Sequence, residues 1–334
     1  MNAHIVTLVA LALNSACMTT QESHRPQKPG VASADVRIPI EKLVPDAIFD
    51  VPGTPDWLAI DTNVWVSNAP KNSVTRFDPK TNQVVATVDV GKQPGSGLAA
   101  GFGSLWVPNC GDSTLSRVDL ETNRVTATIP MHIADSEGGI AVGAGSVWLM
   151  TDKKGTLARI DPSNNKVVAE IAIAPGSYGI AFGENAVFVT STAKDLVTRV
   201  DPRTNLVVES IPVGKKPRFI AVGEGSVWTL NQGDGSISRV DVKTNKLVAT
   251  IEAGIPGGGG EIAVGEGSVW ATSFGYPITR IDPATNQVAQ QFYGPGGDAI
   301  RVGHGSVWLS NLEAHNVWRI DPRRIEATRP DKKP

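Results

Sequence analysis

One tripeptide recurs seven times along this chain, and no other feature limits its folding as strongly. Arg-x-Asp occurs as Arg76-Phe77-Asp78, Arg117-Val118-Asp119, Arg159-Ile160-Asp161, Arg199-Val200-Asp201, Arg239-Val240-Asp241, Arg280-Ile281-Asp282 and Arg319-Ile320-Asp321. The arginines follow one another at intervals of 41, 42, 40, 40, 41 and 39 residues. A second marker, G-x-G-S-V-W in its fullest form, keeps the same phase. Its aromatic falls at Trp65, Trp106, Trp148, Phe188, Trp228, Trp270 and Trp308. Two markers in register mean one supersecondary unit stacked repeatedly on itself, since a unit of about 40 residues cannot bury its own apolar face.

Each unit reads as four short strands. In the fifth copy, residues 219–222, 226–230, 236–240 and 247–251 are β-branched or aromatic runs bounded by turn residues. Gly223-Glu224-Gly225 suits a tight hairpin. The turn between the third and fourth runs begins with Asp and ends with Asn in all six full copies, and Pro stands second in four of them. Proline presets φ for a type I turn, Asp accepts backbone N–H bonds, and Asn tolerates a left-handed exit. This accounts for a glycine plus proline content of 34 + 23 = 57 residues in 334. Four antiparallel strands repeated seven times predict an all-β, seven-bladed β-propeller. The last unit lacks a fourth strand, and an orphan strand precedes the first unit. Residues 46–51 are therefore predicted to complete the last blade, which removes two free sheet edges.

The flanks predict other roles. Residues 5–13 are a nine-residue apolar run, too short to cross a bilayer and suited to a secretory signal. Asn14-Ser15-Ala16 leads to Cys17 in a pattern similar to a lipobox. Residues 1–17 thus read as a signal with Cys17 as a lipidation site, 18–45 as a disordered tether, 46–323 as the propeller and 324–334 as a polar tail. The expectation is a periplasmic or cell-envelope monomer that touches membrane only through a lipid on Cys17. A net charge of −2 removes the bulk electrostatic reason to expect a nucleic-acid partner.

The repeat V-G-x-G-S-V-W with R-[IV]-D-P-x-T-N and V-V-A-T-I resembles the YncE-like (YVTN-type) propeller repeats and the virginiamycin B lyase group of seven-bladed propellers. The resemblance covers residues 46–323 and implies the fold. The lyases would imply opening of a cyclic ester by elimination, with a His base and Mg²⁺ at the channel. The matching inner-strand positions here hold no His. A lactonase-like hydrolase with a channel metal is a further implied activity.

Most repeated residues have architectural roles: the ladder aromatics pack between blades, and each Arg-x-Asp pair is expected to brace the turn of its own blade. Function belongs where the repeat varies. The two residues ahead of each inner-strand Ile or Leu are Asp56-Trp57, Ser96-Gly97, Gly138-Gly139, Tyr178-Gly179, Arg218-Phe219, Gly260-Glu261 and Asp298-Ala299, with Glu137 just before the third pair. Three residues after the ladder aromatics come Asn68, Asn109, Asn231 and Asn311. These positions predict a polar ring around the channel mouth that binds a small molecule or a protein. Trp57 is available to stack on a ligand, and Arg218 is its central basic residue. Asp56, Glu261 and Asp298, helped by the asparagines, are candidate ligands for Mg²⁺ or Ca²⁺, since hard cations prefer oxygen donors. Cys110, on the same face, is a candidate nucleophile or metal ligand, and Glu313 with His315 a candidate acid–base pair.

Overall fold

The computed structural model describes residues 31, 34–95, 97–134 and 136–328; the signal, Cys17 and most of the tether lie outside these residues. Seven antiparallel sheets follow in chain order. Each inner strand packs on the inner strand of the next blade, and the last packs on the first, which closes the ring. Blade 5 is representative, with Pro217–Gly223 innermost, then Ser226–Asn231, Ser236–Asp241 and Lys246–Glu252. The predicted closure is observed. Ala47–Asp50 pairs antiparallel with Asn316–Ile320, with Phe49 opposite Val317, and completes blade 7.

Both flanks depart from expectation. The second half of the predicted tether is ordered: Arg37–Pro39 adds a parallel fifth strand to blade 6 along Gln287–Tyr293. Its apolar residues explain why, since Ile38, Ile40 and Leu43 are all buried against that blade. The predicted polar tail forms a short helix, Pro322–Ala327, which the Asp321 carboxylate caps by accepting from the Arg323 N–H at 2.9 Å. Ile325 anchors the helix in the same cluster.

The seven ladder aromatics are fully buried between blades. Five of the indole N–H groups donate to a glycine carbonyl of their own blade at 2.9–3.2 Å, and Trp65 donates to Asp61 Oδ1 at 3.2 Å. The first glycine of G-x-G serves contact rather than turning. A Cβ on Gly143 would lie 2.0 Å from the Phe182 ring of the next blade. The second supplies the turn, as Gly225 does with φ +64°.

The Arg-x-Asp motif divides its work. The aspartates hold their own turns: Asp282 Oδ1 accepts from Ala284 N at 2.8 Å, and Asp241 Oδ1 from Thr244 N at 2.8 Å. The arginines do not brace their own turns as expected. Each stacks over its own ladder aromatic at 4.8–5.9 Å and reaches beyond its blade. Arg239 donates through Nη1 to Pro283 O at 2.6 Å and Asn286 Oδ1 at 2.8 Å, both in blade 6. Arg76, Arg117, Arg159 and Arg199 make the same crossing to Asn123, Asn165, Asn205 and Asn245. Arg319 crosses the closure to Asn82 at 2.7 Å. Blade 7 offers no such turn to Arg280, which pairs instead with Glu326 of the terminal helix at 2.5 Å. The reason is geometric: the guanidinium leaves its aromatic at the blade face, where the neighbouring turn is nearer than its own.

Blades 1 and 4 break the pattern, and in blade 1, where Asn63 holds the serine position, Arg76 Nε is buried without a partner. In five blades the arginine Nε donates to a serine hydroxyl of the second strand at 2.8–3.0 Å. In blade 4 that position is Ala186, and Arg199 Nε finds no such hydroxyl among the described residues. Ala186→Ser should therefore stabilise the protein by about 1 kcal/mol, the net worth of one hydrogen bond. Arg239→Ala should cost about 3 kcal/mol by removing charge-assisted bonds and a cation–π contact. Urea unfolding midpoints at unchanged slope measure both effects.

Candidate functional site

The seven approaches to the inner strands converge at one end of the channel, and their side-chain sizes shape it. Immediately before the inner apolar residue stand Trp57, Gly97, Gly139, Gly179, Phe219, Glu261 and Ala299. Glycines on blades 2–4 leave space that two large rings fill. Trp57 from blade 1 and Phe219 from blade 5 meet across the channel with ring centroids 5.9 Å apart, and Tyr178 stands edge-on to Phe219 at 6.4 Å. Gly138 has φ +70°, and a Cβ there would sit 3.2 Å from the far edge of Trp57. The cavity left beside these rings is about 20 Å³, room for about one water. The rings therefore form a floor.

Charged groups crowd this floor. Arg218 donates to Glu137 Oε2 at 2.6 Å and to Gln232 Oε1 at 3.0 Å, and its guanidinium lies 4.8 Å from the Tyr178 ring centroid. Arg301 is ion-paired with Glu261 Oε1 and lies 5.8 Å from the Trp57 ring centroid. Glu261 Oε2 accepts from the Ile300 N–H at 3.0 Å. Asp56 and Asp298, on adjoining blades 1 and 7, hydrogen-bond to each other. Both keep some exposure at the mouth but sit between low-dielectric walls.

The titration of these carboxyls follows from that setting. Burial pushes Glu261 up to about 7 despite the opposing pull of Arg301. Asp56 and Asp298 rise well above the ordinary carboxylate range, first through desolvation and then through repulsion from Glu137, Glu261 and, for Asp298, Asp56. Two carboxyls in hydrogen-bond contact cannot both ionise cheaply, so the first to ionise raises the other.

The structure thus brings Asp56, Trp57, Glu137, Tyr178, Arg218, Phe219, Glu261 and Asp298 together as predicted. It removes Asn68, Asn109, Asn231 and Asn311 from the ring. All four are buried and donate into the third strand of their own blade, Asn109 to Ser116 Oγ at 2.9 Å and Asn231 to Ser238 Oγ at 2.9 Å. Gly91 and Gly214 press on Asn109 and Asn231 so closely that neither glycine could carry a Cβ. Both oxygens of Glu261 are engaged, Oε1 by Arg301 and Oε2 by the Ile300 N–H. Among the described residues no three His, Cys, Asp or Glu side chains are grouped to hold a metal. His315 Nδ1 bonds the Gly53 carbonyl at 2.9 Å, which puts it in the ring closure rather than in an acid–base pair. Cys110 is disulfide-bonded, so it offers no free thiol.

Arg301 and Gln232 were missed. A signal for Arg301 exists: the residue after the inner Ile or Leu is alanine in the other six blades, as Ala59, Ala99, Ala141, Ala181, Ala221 and Ala263. All seven pair with their ladder aromatic, Arg301 with Trp308.

A carboxyl whose folded pKa is raised binds more protons folded than unfolded. Stability is then lost as pH rises from the unfolded value through the folded one. For Glu261 that window runs from 4.5 to about 7. Asp298→Asn should raise the melting temperature at pH 8, where it relieves repulsion, and change it little at pH 4, as measured by calorimetry.

Comparison with known proteins places this geometry in a wider setting. The profile of the glutamine cyclotransferase family matches residues 96–256. No curated protein matches the chain. A streptogramin B lyase structure is 18% identical over 82% of this chain and 96% of its own, with a TM-score of 0.69. Virginiamycin B lyase from Staphylococcus aureus is 16% identical over 82% and 97%, with a TM-score of 0.68. The Kuenenia stuttgartiensis hydrazine synthase structure is 15% identical over 83% and 97%, with a TM-score of 0.69. At these identities the likeness is one of architecture: the chain is a seven-bladed β-propeller with the fold of virginiamycin B lyase.

Proposed function

We propose that this protein is an exported binding module that captures a small polar ligand at the mouth of its channel. The observation that carries the reading is the arrangement of Asp56, Glu137, Arg218, Glu261, Asp298 and Arg301 over the floor of Trp57 and Phe219. Concave sites with an apolar floor and a few convergent polar groups are the usual form of ligand sites. Here the arms are held in place by ion pairs before any ligand arrives, which lowers the entropic cost of binding. Export is supported by the apolar run at 5–13 and by the oxidised state of Cys110, since disulfides persist outside the reducing cytosol.

A second reading, acid–base catalysis, has one observation behind it. Glu261, with a pKa of about 7, is poised for proton transfer near neutrality. The glutamine cyclotransferase profile supports this reading only in part, because Glu261, Asp56 and Asp298 fall outside residues 96–256. Ammonia release from a glutaminyl peptide would favour it.

Crystals soaked in a general fragment collection test the binding reading. Fragments should gather at the mouth in contact with Trp57, and Trp57→Phe combined with Arg218→Ala should clear them. Fragments bound elsewhere with the mouth empty would overturn it.

A further inference from the structure

We infer that a cavity at the foot of blade 4 is a second ligand site, which holds a carboxylate with a small apolar body against Arg199. It lies at the end of the ring opposite the mouth and stands whether or not the mouth binds anything.

The first hairpin of blade 4 and the strand that follows it break the repeat at three positions. Asn185 stands where five blades have glycine, Ala186 where five have serine, and Phe188 where six have tryptophan. Asn185 holds φ +58° and brings an amide to a place where the other blades have no side chain. Asn185 and Ala186 line a cavity of about 380 Å³ together with Arg199, Val208 and, from the hairpin of blade 3, Ala144. Cavities that hold small molecules begin at roughly 300 Å³. The space at the mouth, by contrast, is about 20 Å³.

Arg199 presents an unused edge to this cavity. Its Nη1 makes the crossing to blade 5, 2.9 Å from Val242 O and 2.6 Å from Asn245 Oδ1. Nε and Nη2 have no hydrogen-bond partner among the described residues. These two groups share one edge of the planar guanidinium, and their N–H bonds are spaced to meet both oxygens of a carboxylate. In five blades the Nε of that edge meets the serine whose place Ala186 takes. Ala186 lines the cavity, so the edge faces into it. Arg76 lacks its serine too, but its Nε is buried. In that blade the hairpin's own Asp61 is spent on the Asn63 N–H at 2.9 Å and the Trp65 indole at 3.2 Å. Blade 4 joins an open guanidinium edge to a space beside it.

The lining chooses among anions. Arg203 is paired with Asp201 at 3.2 Å, and Glu184 is exposed on the hairpin with no cation paired to it among the described residues. A phosphate dianion would bring two charges against these carboxylates, whereas a carboxylate brings one. Ala144, Ala186, Pro202 and the half-exposed Val208 supply apolar wall for the rest of the ligand. A short-chain acid and the carboxyl terminus of a peptide both carry this chemistry.

NMR titration of the full chain, read at the arginine Nε–H resonances, tests the site with four probes: butyrate, N-acetylvaline, butyramide and inorganic phosphate. The Arg199 resonance should shift, and a carboxylate should bind at least about tenfold more tightly than butyramide or phosphate. Preference between butyrate and N-acetylvaline separates a free acid from a peptide terminus. Ala186→Ser restores the hydroxyl that occupies Nε. It should weaken carboxylate binding about tenfold while raising the urea midpoint, so the loss is not unfolding. Val208→Glu, at the exposed wall, should weaken binding by a similar factor with the midpoint little changed. Equal binding of butyrate and butyramide, tighter binding of phosphate, or no binding of either carboxylate would overturn the inference. Carboxylate binding that leaves the Arg199 resonance in place and survives both substitutions would also overturn it, by placing the acid elsewhere, and would leave the reading of the mouth untouched.

Discussion

The ring depends on a guanidinium that leaves its own blade. Each repeat arginine stacks on the buried aromatic beside it, and six of the seven bond the turn of the following blade. The hydrogen-bond ladder of a blade is complete within its own sheet, so polar fixing of its neighbour falls largely to side chains. Apolar packing between blades is strong but non-directional. The arginine adds direction, since its planar fork accepts only a narrow range of partner positions. The sixth arginine has no following turn to reach. The terminal helix, with Glu326, takes that turn's place.

This division of labour frees the inner strands. Aromatic, arginine and turn asparagine all lie toward the middle and outside of each blade, and there the sequence repeats closely. The residues that open each inner strand take no part in the arginine crossing and differ in every unit. The same architecture can therefore present Asp56 and Trp57 on one blade, Gly138 and Gly139 on another and Arg218 with Phe219 on a third, without loss of closure. Two rings fill the space that glycines vacate, and the charged groups above them come from five blades.

Much of this could be read from the sequence, for identifiable reasons. The repeat determines strand count, blade count and the strand that closes the ring, because each depends only on local pattern and its interruption. The mouth residues were legible because variation within a repeat marks the positions not needed for packing. What failed depended on contacts between units. Arg-x-Asp looks like a local turn brace, and only the spacing between blades reveals that the arginine crosses. Asn68 and its equivalents sit on the functional face by chain position, yet their side chains turn into their own blade. Arg301 was hidden within a strand and needed comparison of one column across all seven units. The ordered strand at Arg37–Pro39 was overlooked because prolines and charges surround three apolar residues.

Both flanking segments end at the same place. Arg37–Pro39 lies along the outer strand of blade 6, and the helix Pro322–Ala327 meets the same blade through Gln290 and Arg280. The ring is thus buttoned at one seam from two sides, and among the described residues the other six junctions carry no such strap. Seen as a topological object, the molecule is a circle whose opening could be moved: a linker between the flanks and a new cut in the glycine hairpin between the first two strands of another blade would preserve every inter-blade arginine bond.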